Sequence, residues 1–207
     1  IGFQQKIAEG LTFGVDGYYR RSKNLIDEGQ FGAPIILTPF NYREGRIHGV
    51  ETNASYARGP WLIYGNFAYA QAKGKGIVSS QFSFDPADLA YIQDHYIFLD
   101  HDQTYTASAG VAYRFGEGTR VSADLLYGSG LRKDGDVPNG DHVPGYTQVN
   151  LSAAHEFQMA GGPLTLRADV INLFDKEYEI RDGTGVGVGA PQFGPRRGFY
   201  AGISKAF

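Results

Sequence analysis

Cysteine is absent from the chain. That excludes disulfides, thiolate metal sites and thiol catalysis, and it suits an oxidising compartment where a stray thiol is a liability. No apolar run approaches the roughly 18 residues a membrane helix needs, and the apolar spacing of an amphipathic helix is nearly missing. The 19 basic residues form no linear cluster and the formal net charge is −3, so the footprint of a nucleic-acid partner is lacking and none is expected. What is plentiful is glycine (29), tyrosine (14) and phenylalanine (14), a profile of β structure with many turns. A length of 207 residues, 42% of them hydrophobic, bounds the chain to one large domain. It begins at Ile1 with neither an initiator Met nor a signal-peptide pattern, and so reads as starting at a processing boundary.

Nearly every segment alternates apolar with small or polar residues at every second position, the period of a strand with two unlike faces. Nine strands are read this way: 1–8, 11–21, 47–56, 61–71, 103–115, 120–130, 146–157, 164–171 and 197–207. Most are longer than the five or six residues usual in soluble sheets. Short turns fall at "AEG", "ARGP", "GEGT" and "QMAGGP", and long links at 22–46, 72–102, 131–145 and 172–196. Short turns at one end and long loops at the other are the habit of outer-membrane barrels.

The faces agree. Tyr56, Trp61, Tyr69, Tyr105, Phe115 and Phe199 fall on one face near the strand ends. Trp61 and Tyr69 are eight positions apart, which for a tilted strand is about 20 Å of height, close to the apolar band between aromatic girdles. The opposite face carries Asp16, Arg20, Glu51, Arg114, Asp124, Glu156, Arg167 and Asp169. Such charges suit a wet lumen or one filled by a polar domain, since a dry core rejects them unless paired. The fold class expected is all-β, a transmembrane antiparallel β-barrel. A soluble sandwich with one solvated face explains the alternation but not the girdles or the one-sided loops.

Three stretches carry a family likeness. "GYTQVNLSAAHEF", "LTLRADVINLFDKEYE" and the glycine-rich run leading to "PRRGFYAGISKAF" together resemble the last three strands of TonB-dependent outer-membrane receptors, and "REGRIHGVETNASY" is similar to a further strand of that family. The resemblance implies that 1–207 is the carboxy-terminal part of a barrel of the 22-strand type, with the plug domain and upstream strands lying elsewhere; an odd count of nine strands points the same way, because single-chain bacterial barrels have even counts. It also implies an outer-membrane location in a Gram-negative bacterium and uptake of a scarce nutrient such as an iron-siderophore, haem or cobalamin, energised through TonB. Implied partners are outer-membrane lipid and lipopolysaccharide, the receptor's own plug facing the eight charges, TonB through an amino-terminal box, a metal chelate or similar small ligand, and the barrel assembly machinery. For the last, Phe199, Ala201, Ile203 and Phe207 match the family's carboxy-terminal signal, while Lys205 departs from it. The alternative is a small self-contained barrel acting as a passive pore or structural protein.

The long link 72–102 holds Phe82, Phe84, Tyr91, Tyr96 and Phe98. Aromatic loops capture flat or apolar ligands by stacking and area burial, so Phe82, Phe84, Tyr91 and Tyr96, with His95 as a polar contact, are the candidate ligand-binding residues; packing of the loop on itself explains the rings equally well. "DPADLAY" predicts a short helix with Asp85 before Pro86. His95, His101 and His142 stand on loops without the spacing of a metal motif, which leaves metal binding unassigned. "DGDVPNGD" reads as a turn-rich loop, since Pro138 sits where a calcium loop wants Asp or Asn. Asn172 to Tyr178, the Asn-Leu-Phe-Asp segment, reads as a structural corner. Neither paired carboxylates in an apolar wall nor a nucleophile turn is present, so no enzyme and no cofactor are expected.

Overall fold

The computed structural model describes residues 1–31 and 36–206. Its elements in chain order are β1 (Gly2–Ala8), β2 (Leu11–Phe31), β3 (Ile36–Arg58), β4 (Trp61–Val78), α1 (Pro86–Asp94), β5 (Ile97–Phe98), β6 (Tyr105–Phe115), β7 (Thr119–Gly128), β8 (Arg132–Lys133), β9 (Asp141–His142), β10 (Tyr146–Phe157), β11 (Leu164–Ile171), β12 (Glu179–Asp182), β13 (Pro191–Phe193) and β14 (Gly198–Lys205). Nine long strands form one antiparallel sheet in the order β1-β2-β3-β4-β6-β7-β10-β11-β14, with β5 added to β4. Neighbours in sequence are neighbours in the sheet, because each short turn and each long link returns the chain to the adjacent position. β1 and β14 are its edges, so the barrel wall is not closed among the described residues.

Pairing is continuous through the spanning region, and directly opposed residues share a face. Asp16 pairs with Glu51, and Glu51 with Ala68; Ala68 pairs with Thr106, and Thr106 with Gly128. Following these registers puts Asp16, Arg20, Glu51, Arg114, Asp124, Glu156, Arg167 and Asp169 on one face. Tyr56, Trp61, Tyr69, Tyr105, Phe115 and Phe199 stand on the other. There the rings gather at two levels. Trp61 packs edge-on against Tyr113 at 4.6 Å and Tyr113 lies 4.5 Å from Phe115, while Tyr69 and Tyr105 meet at 5.5 Å at the far end of the same strands. Between the levels the surface is Ile63, Phe67, Val111, Val121, Leu151 and Leu166, all exposed. A monomer in water rarely shows so broad an apolar face; lipid is its natural solvent. Phe199, Ala201 and Ile203 join this face opposite Val170, Ala168 and Leu166, and Phe207 lies outside the described residues.

Beyond the upper rings the structure departs from the sequence reading. The link 22–46 is no loose loop: β2 and β3 run on as a paired ribbon to Phe31 and Ile36. At Asn24 (φ 52°) and Gly76 (φ 70°) the backbone turns left-handed and the pairing skips those positions, which resets the alternation. Beyond this kink the apolar side chains of the ribbon turn to the polar side of the sheet. A Cβ added to Gly74 would lie 2.5 Å from the Tyr42 ring and one added to Gly45 would lie 2.7 Å from Leu25, and both glycines are in step with the polar face. The buried core gathers here: Phe31, Phe40, Tyr42, Ile77, Phe84, Ile92, Ile97, Leu99 and Val186. It belongs to an extramembrane module made of the ribbon and the long links, set over the polar face.

Candidate functional site

The module is stitched from four segments distant in sequence. The helix forms where "DPADLAY" predicts it: Asp85 caps α1 by accepting from the Ala87 N–H at 2.7 Å, and Pro86 occupies the first turn, where its missing N–H costs nothing. Phe84, just ahead of the cap, packs edge-on against Phe31 at 4.9 Å and Phe40 at 5.1 Å. The link 131–145 is held through Asn139, which donates to Phe98 O at 2.8 Å and accepts from Val186 N–H at 2.8 Å. The glycine-rich run joins through Gln30 N–H to Gly187 O at 2.7 Å, and Gln192 donates to the Gln30 side chain at 2.9 Å.

Buried charge locks the same segments together. Arg132 donates to Asp102 Oδ2 through Nε (3.0 Å) and Nη2 (2.9 Å) and lies 3.5 Å over the Phe98 ring, while Asp102 Oδ1 accepts from Ala72 N–H at 2.6 Å. Beside it, His101 Nδ1 is 2.8 Å from Asp100 Oδ1 and 3.6 Å from Asp27 Oδ1, and Arg181 Nη1 is 2.9 Å from Asp100 Oδ2. The hydrogen bond to Asp100 raises the His101 pKa against the opposing effect of burial, and burial is the main cause raising that of Asp27. The Tyr42 phenol is pushed well up by burial, with Asp27 and Asp100 adding to it. The ligand atoms of Asp27, Asp100 and His101 lie within 4.8 Å of one another, a spacing that suits a divalent cation. Yet Arg181 already pairs with Asp100 Oδ2, and His101 Nδ1 lies against both carboxylates. His95 and His142 are elsewhere: His95 stacks on Tyr91 at 4.3 Å and His142 is paired with Val143 O.

The candidate ligand residues therefore divide. Phe84 is 6% exposed, its ring held by Phe31 and Phe40, which removes it from the set of free contacts. Tyr96 is half-buried; its hydroxyl donates to Glu44 at 2.5 Å and its ring lies under Arg46 at 4.0 Å. Tyr91 and His95 form a stacked pair. Phe82 is 94% exposed. Close to it, Ser83, Asp85, Asp88, Asp134 and the run 183–189 line a cleft of about 370 Å³. Burial, Asp134 and Asp85, in that order, raise the Asp88 pKa.

A second feature, missed in sequence, climbs the polar face to the module. Asn150 donates to Asp124 at 2.7 Å and accepts from Gln148 at 2.8 Å; Tyr178 donates to Gln148 at 3.0 Å and stacks on Tyr146 at 4.3 Å. This series of hydrogen bonds ends at Asn172, where the sequence reading places a corner. Its backbone N–H donates to Asn150 Oδ1 at 2.9 Å, its side-chain amide donates to Lys176 O and Pro195 O, and its side-chain Oδ1 accepts from Lys176 N–H. Asp175 then accepts from Arg196 and from Arg197 N–H, contacts that hold its pKa far below the usual carboxylate range. Phe174 is exposed. On the same polar face Asp16 is opposed to Glu51 and Arg114 to Arg120. Like charges directly opposite are destabilising.

The sequence profile described as "TonB dependent receptor-like, beta-barrel" matches residues 1–173. The chain belongs to this family. TonB-dependent receptor barrels lie in the Gram-negative outer membrane, and that is the location of this wall of strands. The vitamin B12 transporter BtuB of Vibrio vulnificus (strain YJ016) is 28% identical over 194 residues, covering 93% of this chain and 27% of the relative. Among solved structures, the copper transporter OprC superposes with a TM-score of 0.66 at 20% identity, over 100% of this chain and 30% of that one. BauA, the ferric preacinetobactin receptor from Acinetobacter baumannii, gives 0.64 at 16% identity, over 99% and 28%. The chain thus spans less than a third of the length of these proteins, and the structural likenesses establish the fold.

Proposed function

We propose that residues 1–207 are the carboxy-terminal part of the barrel of a receptor that takes up a scarce nutrient with energy delivered through TonB. The observation that carries this reading is the interlocked module over the polar face. A passive pore gains nothing from a folded assembly of four segments, tied by buried ion pairs, over its mouth. A receptor needs such an assembly to hold ligand-contacting groups in place. In this reading Phe82, the Tyr91–His95 pair and the acidic cleft beside Phe82 face the ligand, and Tyr96 supports the wall beneath. The ligand class follows the family: a metal chelate, haem or a cobalamin. The chain acts in binding and transport, not in catalysis.

The polar face points to the plug domain as partner. Asp124 is satisfied by Asn150, Arg167 and Asp169 pair with each other at 2.8 Å, and Glu156 accepts from Gln158. The opposed pairs Asp16–Glu51 and Arg114–Arg120 instead call for counter-charges from outside this wall. Phe199, Ala201, Ile203 and Phe207 serve in the same reading as the signal to the barrel assembly machinery. The test is uptake by the full-length receptor in cells with and without TonB: accumulation of the labelled nutrient should stop when TonB is deleted, and uptake that continues unchanged would refute the energised mechanism.

A further inference from the structure

Among the described residues, the buried side-chain polar atoms without a hydrogen-bond partner are Asp27 Oδ2, Tyr42 OH and Asp100 Oδ2. All three belong to one locus. Asp27 and Tyr42 lie on the core side of the β2–β3 ribbon, at diagonal positions set by the pairs Leu25–Tyr42 and Asp27–Phe40. The Tyr42 phenol is fully buried and feels the charge of both Asp27 and Asp100. Buried polar groups are almost always satisfied, and a group that the protein leaves unsatisfied marks a place for water or an ion.

His101 decides between the two. Its Nδ1 stands 2.8 Å from Asp100 Oδ1 and 3.6 Å from Asp27 Oδ1, and one ligand atom from each of the three residues falls within 4.8 Å of the others. Ligands at about 2.0 to 2.2 Å from a tetrahedral zinc ion stand about 3.4 Å apart, so the two distances bracket what such an ion requires. One imidazole nitrogen and two carboxylate oxygens, with a hydroxyl beside them, suit an ion of the zinc class. Calcium takes about six to eight oxygens, more than this locus offers. Arg181 is no obstacle: it faces Asp100 Oδ2 at 2.9 Å and leaves Oδ1 to the ion, as the outer partners of ligating carboxylates do. A ligating imidazole is neutral, so Arg181 then offsets only one of the two carboxylates, and a negative charge remains to draw the ion. The His101 side chain is 51% exposed against 8% for Asp27 and 4% for Asp100, which gives the ion a way in past the ring.

We propose that Asp27, Asp100 and His101 bind a divalent ion of the zinc class, with the Tyr42 hydroxyl completing the site, and that this ion is a staple of the module and not cargo. It joins both strands of the ribbon to the end of the link 72–102, and through Asp100 reaches Arg181 of β12. None of the four residues lines the cleft beside Phe82, which keeps the ion apart from any ligand that is carried. The proposal is independent of the transport reading.

The experiment uses the full-length receptor in detergent, stripped with a chelator and titrated calorimetrically with zinc chloride. Wild type is compared with His101→Ala, with Tyr42→Phe and with the control His142→Ala, whose ring is paired with Val143 O. Outer partners alone are worth about 10- to 100-fold in metal affinity, so loss of the nitrogen donor should weaken one equivalent of binding by about a hundredfold or more. The control should match wild type. Tyr42→Phe keeps the ring and removes only the hydroxyl; it should weaken zinc by about tenfold and, without zinc, melt no lower than wild type because an unpaired buried group has gone. Zinc should also slow hydrogen exchange across residues 25–28 and 97–102 in wild type and leave His101→Ala unchanged. Equal zinc binding by His101→Ala overturns the proposal, and so does an equal loss in His142→Ala. Calcium bound at this site as tightly as zinc would overturn the assignment of the ion. A Tyr42→Phe receptor that melts lower without zinc would mean that the hydroxyl already has a partner, and would refute the argument from orphaned oxygens.

Discussion

Alanine at position 172 should unclasp the corner that joins the polar face to the module. Asn172 is 1% exposed and sits at φ 51°. Truncation leaves Lys176 O, Pro195 O and Lys176 N–H without the side-chain partners they have now. Each such loss costs about 1 kcal/mol or somewhat more when the group stays buried, and a β-carbon without a local polar partner adds about 1 kcal/mol in the left-handed region. The total is about 3 to 5 kcal/mol. Glycine removes the same hydrogen bonds but not the backbone fit, so Asn172→Gly should be milder than alanine by about 1 kcal/mol. Aspartate keeps the shape and the acceptor yet sets a carboxylate against two carbonyl oxygens, and should equal or exceed the alanine loss. Urea unfolding of the full-length receptor in detergent, followed by the heat-modifiable gel shift of the folded barrel, orders the three variants. Glycine and alanine behaving alike would refute the strain argument; all three lying within about 1 kcal/mol of wild type would refute the role of the corner itself.

Other outcomes follow from the module. Phe84→Ala should destabilise it by about 3 to 5 kcal/mol, read as faster hydrogen exchange in α1, whereas Phe82→Ala should leave exchange unchanged and weaken ligand binding by the full receptor. Arg132→Met leaves Asp102, whose side chain is 2% exposed, buried without its cation, at a cost of about 3 to 5 kcal/mol; adding Asp102→Leu should recover part of it. His101 and Asp27 both have folded-state pKa values raised above their ordinary 6.5 and 3.8. The folded module therefore binds more protons than the unfolded chain, and its stability, full below those ordinary values, falls as pH rises through the raised ones. Exchange around Asp27 and His101 should accelerate as pH is raised above 6.5, the ordinary imidazole value that His101 exceeds in the folded module, and His101→Asn should flatten that dependence.

The nine spanning strands were legible because lipid on one side and polar contents on the other impose a strict period of two, and the rings at Trp61 and Tyr69 mark where it ends. The continuation of β2 and β3 was not, because the kink at Asn24 resets the alternation and leaves "SKNLIDEGQF" looking like a loop. Phe84 and Phe82 are two positions apart and chemically identical; only Phe31 and Phe40, on a ribbon far back in the chain, decide that one is buried. The corner could be read from Asn172 and Asp175, residue types that bond their own backbone and tolerate positive φ. Its partners Asn150 and Pro195 could not, nor could the gathering of Asp27, Tyr42, Asp100 and His101, which exists only once the ribbon lies against the link that follows β4.

The clasp between Gln192 and Gln30 spans a sequence separation of 162 residues, and this bears on the order in which the molecule is made. A contact of such high contact order forms late, after the loop-closure entropy of the intervening chain has been met by other pairings. The glycine-rich run can reach Gln30 only when the hairpins between them are in place, so the ribbon of β2 and β3 must wait, its apolar side chains unprotected, until the last strand arrives. A chain stopped after Ile171 would retain eight of the nine long strands, yet its outer assembly would lack Val186 from the core, Arg181 from the Asp100 pair and both contacts to Gln30. Such a truncated chain also lacks Phe199, Ala201 and Ile203 of the proposed assembly signal; refolded into detergent rather than assembled in cells, it should still be cut by protease within the ribbon, because completion of the outer assembly reports that the carboxy-terminal strand has docked.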